Sequence, residues 1–395
     1  MSNKDQWLLP EGIEEALPPE AWRLERARRE ILDLFSGWGY ELIMPPFIEY
    51  LESLLTGTGN DLDLQTFKLT DQLTGRMMGV RADMTPQAAR IDAHPLKRSA
   101  PSRLCYLGTV LRTRPEGFAG TRSPLQVGAE LFGHAGIDSD VEILRLVLES
   151  LAVMGITEVH MDLGHVGIFR ALAAEAGLDG QQEAALFDAL QRKACTEIAE
   201  ILAGSSATED QGRRLACLAE LNGGHEILAS AREALAGAGS EVMGALDNLC
   251  AIADVMQRSC ADTSLFFDLA ELRGYNFHTG MVFAVFVPGR GQEIARGGRY
   301  NDIGRVFGGA RPATGFSMDL RTLVGLGARD YDLPAGAIYS PADSDPALID
   351  VVRNLRAAGE RVIFELTGQQ GDAVALGCDR QIVREDGAWL VKPVS

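Results

Sequence analysis

Apolar residues recur at two spacings along this chain, and the spacing sorts it into elements. Trp22, Leu24, Ala27, Ile31, Leu32, Leu34 and Phe35 fall at helical intervals behind Pro18-Pro19-Glu20. Proline suits a first helical turn, where its missing amide would have no partner. The pattern predicts a long amphipathic helix stopped by Gly37-Trp38-Gly39. Tyr40 to Met44 reads as a short strand, and Pro45-Pro46 as the start of a second helix reaching Leu55. Gln65 to Thr70 and Arg76 to Arg81 read as strands joined by a turn at Asp71 to Gly75. A helix is expected within Ala82 to His94, capped by Thr85 and started by Pro86.

Between Arg103 and Gly133 the period changes to two. Leu104 to Arg112 and Ser123 to Phe132 read as the strands of a hairpin with a long loop. Leu125, Val127, Ala129 and Leu131 alternate with Gln126, Gly128 and Glu130, so the polar set shares one face. In an ordinary hairpin that face is wet. The loop holds Pro115, Gly117 and Gly120, and Arg112, Arg114 and Arg122 surround it. An amide and a carboxylate beside guanidinium groups suit a small zwitterion or a phosphate.

Asp138 to Met154 predicts a helix capped by Asp138 or Ser139, and Thr157 to Leu163 a strand. From about 166 to 260 the chain turns rich in Ala, Leu, Glu and Gln, broken at Gly177, Gly204-Ser205 and Gly223-Gly224. This reads as a helical insertion. Strands at Ser264 to Leu269 and Met281 to Val287 flank RGYNFHTG at 273–280. GGRY at 297–300 reads as a tight turn, and Ala313 to Met318 as a strand leading into a helix from Asp319 to Gly327. Past Ala335 the pattern becomes strand (Ile338-Tyr339), helix (Pro346 to Ala358), strand (Arg361 to Leu366) and a hairpin from Gln381 to Val391 turning at Asp386-Gly387. The expected fold is α+β: a core over 1–327 carrying the insertion, and a small C-terminal α/β unit over 335–395.

Composition narrows the function. The chain has 395 residues, with 37 basic and 55 acidic side chains and a formal charge of −18. That balance works against non-specific nucleic-acid binding. Six scattered cysteines without a CxxC pair point to reduced thiols in the cytoplasm and to no structural zinc. The polar start, MSNKDQWLLPEG, does not read as a signal peptide, and no apolar run reaches the ~18 residues of a membrane span. His160 and His165 lack ligand spacing, so no metal is expected, and neither a Ser-His-Asp order nor a phosphate-binding loop is present. Arg273 and His278 bracket a glycine-containing turn that suits a carboxylate, while Asp83 and Thr85 in VRADMTP suit an ammonium.

Taken in order, these segments resemble the catalytic core of the histidyl-tRNA synthetases, a class II synthetase fold with an antiparallel sheet flanked by helices. GYELIMPPFIE is similar to the first motif, which builds the dimer interface. TFKLTD and VRADMT are similar to TYKFTD and LRPEGT, LRTRP and QVGAE to FRYERP and QFGAE, RGYNFHTG to RGLDYYTR, GGRYN to GGRYD, and TGFSMDLRTL to VGFAIGLERL. The resemblance covers about residues 10 to 327. It implies that Asp83, Thr85 and Gln126 hold a histidine ammonium, that Glu130 reads the imidazole, and that Arg112 and Arg273 meet carboxylate and phosphate. Phe277 and His278 stand where that motif has two tyrosines, and Asn276 where it has an acid.

Two departures bear on nucleotide binding. Arg114 stands where the second motif has the acid that meets adenine, and Thr322 where the third motif has the arginine that clasps the terminal phosphates. A histidine pocket without an ATP grip resembles the regulatory subunits of ATP phosphoribosyltransferase. That resemblance implies a non-catalytic, cofactor-free subunit of histidine biosynthesis. It further implies a dimer within a hetero-oligomer, a short-form catalytic subunit as partner, histidine as feedback effector, and no tRNA or membrane partner. An active histidyl-tRNA synthetase and a stand-alone amino-acid sensor remain the alternatives.

Overall fold

The computed structural model describes residues 7–55, 60–115, 120–271, 274, 277–303, 311–329, 331 and 336–394. They cluster as two compact units, Met1–Leu17 with Leu24–Arg329, and Pro18–Arg23 with Asp330–Ser395.

The larger unit opens with α1 (Glu20–Gly37), β1 (Glu41–Leu42), β2 (Ile48–Tyr50), α2 (Leu51–Leu55), α3 (Asn60–Gln65), β3 (Phe67–Thr70), β4 (Met77–Val80) and α4 (Thr85–Ile91). It continues with β5 (Ser102–Thr109), β6 (Leu125–Phe132), α5 (Ile137–Val153) and β7 (His160–His165). A helical stretch follows: α6 (Val166–Glu175), α7 (Gly180–Gln191), α8 (Cys195–Ala203), α9 (Glu209–Cys217), the short β8 (Asn222–Gly223), α10 (Ile227–Ala234) and α11 (Ser240–Ser259). The core resumes with β9 (Ser264–Asp268), β10 (Met281–Phe286), β11 (Ala295–Arg299), β12 (Ala313–Asp319) and α12 (Leu320–Leu326).

Among the described residues the main sheet has nine strands in the order β1-β5-β6-β12-β11-β10-β7-β9-β8. From β5 to β7 every neighbouring pair is antiparallel. Both faces of β6 are buried, which corrects the expectation of a wet hairpin face: Gln126 is 3% and Glu130 1% exposed. On one face α5 packs against β6, β11 and β12, and Phe35 of α1 meets the edge of the Phe316 ring at 6.0 Å. On the other lies α4.

Tertiary pairing overrode several local signals. Ile48–Tyr50 forms β2, not the first turn of a helix after Pro46, because it pairs with β4 in a three-stranded sheet ordered β2-β4-β3. Trp22 points outward at 51% exposure, while Leu24, Ala27, Ile31 and Phe35 are buried. Thr85 lies in the first turn of α4 rather than capping it; Asp83 Oδ1 accepts the Thr85 amide instead. Neither Asp138 nor Ser139 caps α5, whose N-cap is Gly136. GGRY is no tight turn: Gly297 to Arg299 run through β11, paired on both sides. In the helical stretch Asp179 with Gln182 and Thr208 with Gln211 form reciprocal caps that set two helix starts.

Arg299 fastens β11 to the turn before α5. Its guanidinium donates to Asp140 at 3.1 Å, to the carbonyls of His134 and Gly136 at 3.1 Å each, and to Ser139 Oγ at 2.8 Å. Burial pushes the Asp140 carboxyl up, and Arg299 opposes that shift.

The smaller unit contains β13 (Ala337–Ser340), α13 (Pro346–Ala357), β14 (Val362–Phe364), β15 (Cys378–Glu385) and β16 (Ala388–Pro393), with sheet order β14-β13-β15-β16. Ile338, Leu348, Val352, Val362 and Ile382 form its core. The β15–β16 turn places Asp386 and Gly387 at φ 46° and 82°, the left-handed pair that a two-residue hairpin loop requires. Among the described residues no helix is long and apolar enough to cross a membrane.

Asp140→Ala would strand the buried Arg299 guanidinium without its carboxylate. It is expected to cost the larger unit about 3–5 kcal/mol, read as a fall in its urea-unfolding midpoint.

Candidate functional site

Glu130 lies at the centre of the main sheet, and its surroundings are built to hold a carboxyl group. Tyr106 of β5 donates to Oε1 at 2.8 Å, and Tyr300, just past β11, donates to Oε2. Thr85 Oγ1 lies 3.0 Å from the Tyr106 hydroxyl. Space for this cluster comes from glycine. Gly315 pairs with Glu130 across β12, and a Cβ there would lie 1.7 Å from Glu130 Oε2. Gly128 pairs with Tyr106, and a Cβ there would lie 2.6 Å from the Tyr106 hydroxyl.

Burial pushes the Glu130 carboxyl up to about 8; hydrogen bonds from Tyr300, Tyr106 and Thr85 pull the other way, and the charge of Asp83 adds to the rise. Burial, and then the charge of Glu130, holds both phenols well above their ordinary range. The pocket base is thus a carboxyl that exchanges a proton near neutrality, able to meet a ring N–H or a bare ring nitrogen.

Beside it, Gln126 bridges two chain segments. Its amide donates to Asp83 Oδ1 at 2.8 Å and accepts the Met84 amide at 2.9 Å. Asp83 therefore presents a fixed carboxylate next to an amide oxygen, donor-seeking groups suited to an ammonium. Phe277 stacks on Tyr300 at 4.9 Å between ring centroids, with the His278 ring edge-on to Phe277 at 5.3 Å. The His278 carbonyl accepts from Arg170 of α6 at 3.1 Å. Arg112 donates to the Ala82 carbonyl at 3.4 Å. It also lines an adjoining cavity of about 100 Å³ with Gln126, Glu293, Arg296, Asp319 and Thr322.

The structure thus brings Asp83, Thr85, Gln126 and Glu130 into one cluster, with Phe277 against Tyr300 and Arg112 on the adjoining cavity. Arg273 and Asn276 lie outside the described residues. His160 and His165 do not converge: His160 meets Asp162 at 3.1 Å, while His165 caps α6, its imidazole pushed down to about 4 by burial. Sequence reasoning missed Tyr106, Tyr300 and Gly315. The available signal was Gly315, an unhelpful strand residue unless a neighbour needs the room.

Comparisons place this geometry among known proteins. The family described as histidyl-tRNA synthetase matches residues 12–323, and the ATP phosphoribosyltransferase subunit HisZ C-terminal domain matches residues 335–392. The ATP phosphoribosyltransferase regulatory subunit of Thioalkalivibrio sulfidiphilus is 63% identical, covering 99% of both chains. That of Pseudomonas entomophila is 56% identical over 100% of both. A crystal structure described as an ATP phosphoribosyltransferase regulatory subunit/histidyl-tRNA synthetase from Bacillus halodurans matches with TM-score 0.82 at 27% identity, covering 93% of this chain and 95% of that one. A Nostoc histidyl-tRNA synthetase, at 19% identity and TM-score 0.75 over 95% and 91% of the chains, shares the fold. The chain belongs to the family of ATP phosphoribosyltransferase regulatory subunits, built on the histidyl-tRNA synthetase fold.

Proposed function

We propose that this chain is a non-catalytic regulatory subunit that binds histidine in the Glu130 cradle and acts on a separate catalytic subunit of ATP phosphoribosyltransferase. One observation carries the reading: the amino-acid half of the pocket is assembled, while the half that would take a nucleotide lacks its phosphate clasp. Thr322 donates its hydroxyl to Asp319 at 2.8 Å. Arg114 is exposed where the resemblance places an acid over adenine.

In this reading Asp83, Thr85 and Gln126 receive the ammonium, Glu130 receives the imidazole, Arg112 and Arg273 face the carboxylate, and Phe277 and His278 wall the ring. Histidine then biases the partner only by its differential affinity for two states of the complex. Self-association suits the face around β1, a sheet edge where Leu42, Met44, Phe47 and Ile48 are 44%, 76%, 40% and 41% exposed. The working division is a core over 1–327 with its insertion near 166–260, and a C-terminal domain over 335–395. The expected compartment is the cytoplasm, with no tRNA partner for so acidic a chain.

Calorimetric titration should give saturable histidine binding. Glu130→Gln removes a charge-assisted bond of about 1.5–3 kcal/mol, so affinity should fall roughly tenfold to a hundredfold; an unchanged isotherm rejects the pocket. Gly315→Ala should weaken binding likewise by displacing the Glu130 carboxyl.

The pH dependence has a definite sign. Imidazole titrates near ~6.5, and the bound pair holds one shared proton. Between that value and the Glu130 midpoint of about 8, the empty pocket already carries the proton, so binding exchanges none. Above it, binding takes up a proton and affinity falls with rising pH; below ~6.5 it releases one and affinity falls with falling pH. Titrations in buffers of different ionisation enthalpy measure this directly, and the upper limb should vanish in Glu130→Gln.

Mixed with a short-form catalytic subunit, the chain should change its turnover and make it histidine-sensitive. Histidine-dependent pyrophosphate exchange by the chain alone would overturn the regulatory reading in favour of a synthetase.

A further inference from the structure

The cavity beside the cradle carries a second conclusion, which goes beyond the sensing role and stands whatever amino acid the cradle takes. We propose that Asp319 bars polyphosphates from this cavity, so that the cradle answers to an amino acid without interference from nucleotides.

The placement follows from strand geometry. Gly315, Ser317 and Asp319 alternate on one face of β12, in register with Glu130, Gly128 and Gln126 of β6. Four residues of strand span about 13 Å. One strand face therefore carries both the floor beneath Glu130 and, a short step away, the end of the neighbouring cavity.

The Asp319 carboxylate is anchored there. Oδ1 accepts the amides of Leu125 at 2.9 Å and Arg321 at 3.3 Å; Oδ2 accepts the Thr322 amide at 3.2 Å and its hydroxyl at 2.8 Å. These four bonds tie the charge to β6 and to the first turn of α12, so it cannot swing aside for a ligand. They also take up the donors that a phosphate would need. Glu293 puts a second carboxylate on the same cavity, 3.5 Å from Arg296, another of its lining residues.

The enclosed volume is about 100 Å³. Ordinary ligand pockets run from roughly 300 Å³ upward. A triphosphate would meet too little room and negative charge already fixed in place. The synthetase motif quoted above has glycine and arginine at the positions of Asp319 and Thr322. The carboxylate changes what an arginine could do there: at position 322 it would be neutralised by Asp319 at once. Loss of the clasp and gain of the barrier are therefore one device, and their effects on nucleotide binding must be non-additive.

The test is a double-mutant cycle on the full chain: wild type, Asp319→Asn, Thr322→Arg and the double variant, titrated calorimetrically with ATP–magnesium and separately with histidine. Asparagine is as good an N-cap as aspartate, so the first change removes charge and keeps α12 started. The wild type and Thr322→Arg should both bind ATP no tighter than about 1 mM. The double variant should bind at least about tenfold tighter than either, a gain of the size of one charge-assisted bond. Histidine affinity should stay within about twofold throughout, because the Glu130 end of β12 is untouched.

Thermal melting establishes that each variant is folded; should Asp319→Asn fail to fold, Asp319→Ser preserves the cap and replaces it in the cycle. Sub-millimolar ATP binding by the wild type overturns the proposal. So does an equal gain from Thr322→Arg alone, or a folded double variant with no gain. Failure of histidine binding in all four proteins, with the ATP pattern as expected, would reject the sensing role and leave the barrier standing.

Discussion

A carboxyl group at 1% exposure in the middle of a sheet constrains everything around it. Glu130 needs donors for both oxygens and a neighbouring strand that leaves room, since burying a charge without partners costs several kcal/mol. Tyr106 and Tyr300 supply the donors, and Gly315 and Gly128 supply the room. Each helper then needs support of its own. Tyr300 follows Arg299, whose guanidinium is locked to Asp140 and to the turn before α5 on the opposite side of the chain trace. The site is thus held from the far face of the sheet as well as from its own.

The helical stretch joins this arrangement at one end. His165 closes β7 and caps α6, the Val166 amide donates to the Gly280 carbonyl at 3.1 Å, and Arg170 reaches the His278 carbonyl. The pocket wall at Phe277 and His278 is therefore backed by a helix that belongs to the stretch between β7 and β9. Thr279 completes the join, its amide donating to the Arg299 carbonyl at 2.7 Å and its hydroxyl accepting the Asn301 amide at 2.9 Å. Cradle, wall and helices form one hydrogen-bonded neighbourhood.

Much of this was legible in the chain because local chemistry and tertiary context agreed. The alternation around Gln126 and Glu130 gave β6 and the correct sharing of faces, and the Asp386-Gly387 turn gave the last hairpin. Pro45-Pro46 misled because the helix-start signal is local, whereas β2 exists only through its partner β4. GGRY misled for the opposite reason. Glycines usually mark turns, but Gly297 and Gly298 sit in a paired strand because their neighbours crowd it: a Cβ at Gly297 would lie 2.2 Å from the Gly315 carbonyl. Periodicity reports which face a side chain takes and is silent on what lies above that face. Tyr106 looked like one more β-forming residue, and its role appears only once Thr85 and Glu130 are seen on either side of its hydroxyl.

The same pocket serves different ends according to what lies next to it. In an enzyme, ligand contacts count toward rate only where they strengthen in the transition state. Where the neighbouring half accepts no nucleotide, there is no such state, and the whole difference in contacts is available to shift a conformational equilibrium. Moving a population from 1:99 to 99:1 takes about 5.5 kcal/mol of differential binding. One charge-assisted bond at Glu130 supplies about 1.5–3 kcal/mol of that. A regulatory cradle must therefore make several of its contacts in one state only. The movable contacts cannot be those of Gly315 and Glu130, which the sheet register fixes. They belong to groups carried by segments outside the strands, among them Phe277 and His278, whose backbone is tied to α6 through Arg170. A rigid floor that recognises the ring, combined with a wall anchored to another part of the chain, is the arrangement that population-shift arithmetic requires.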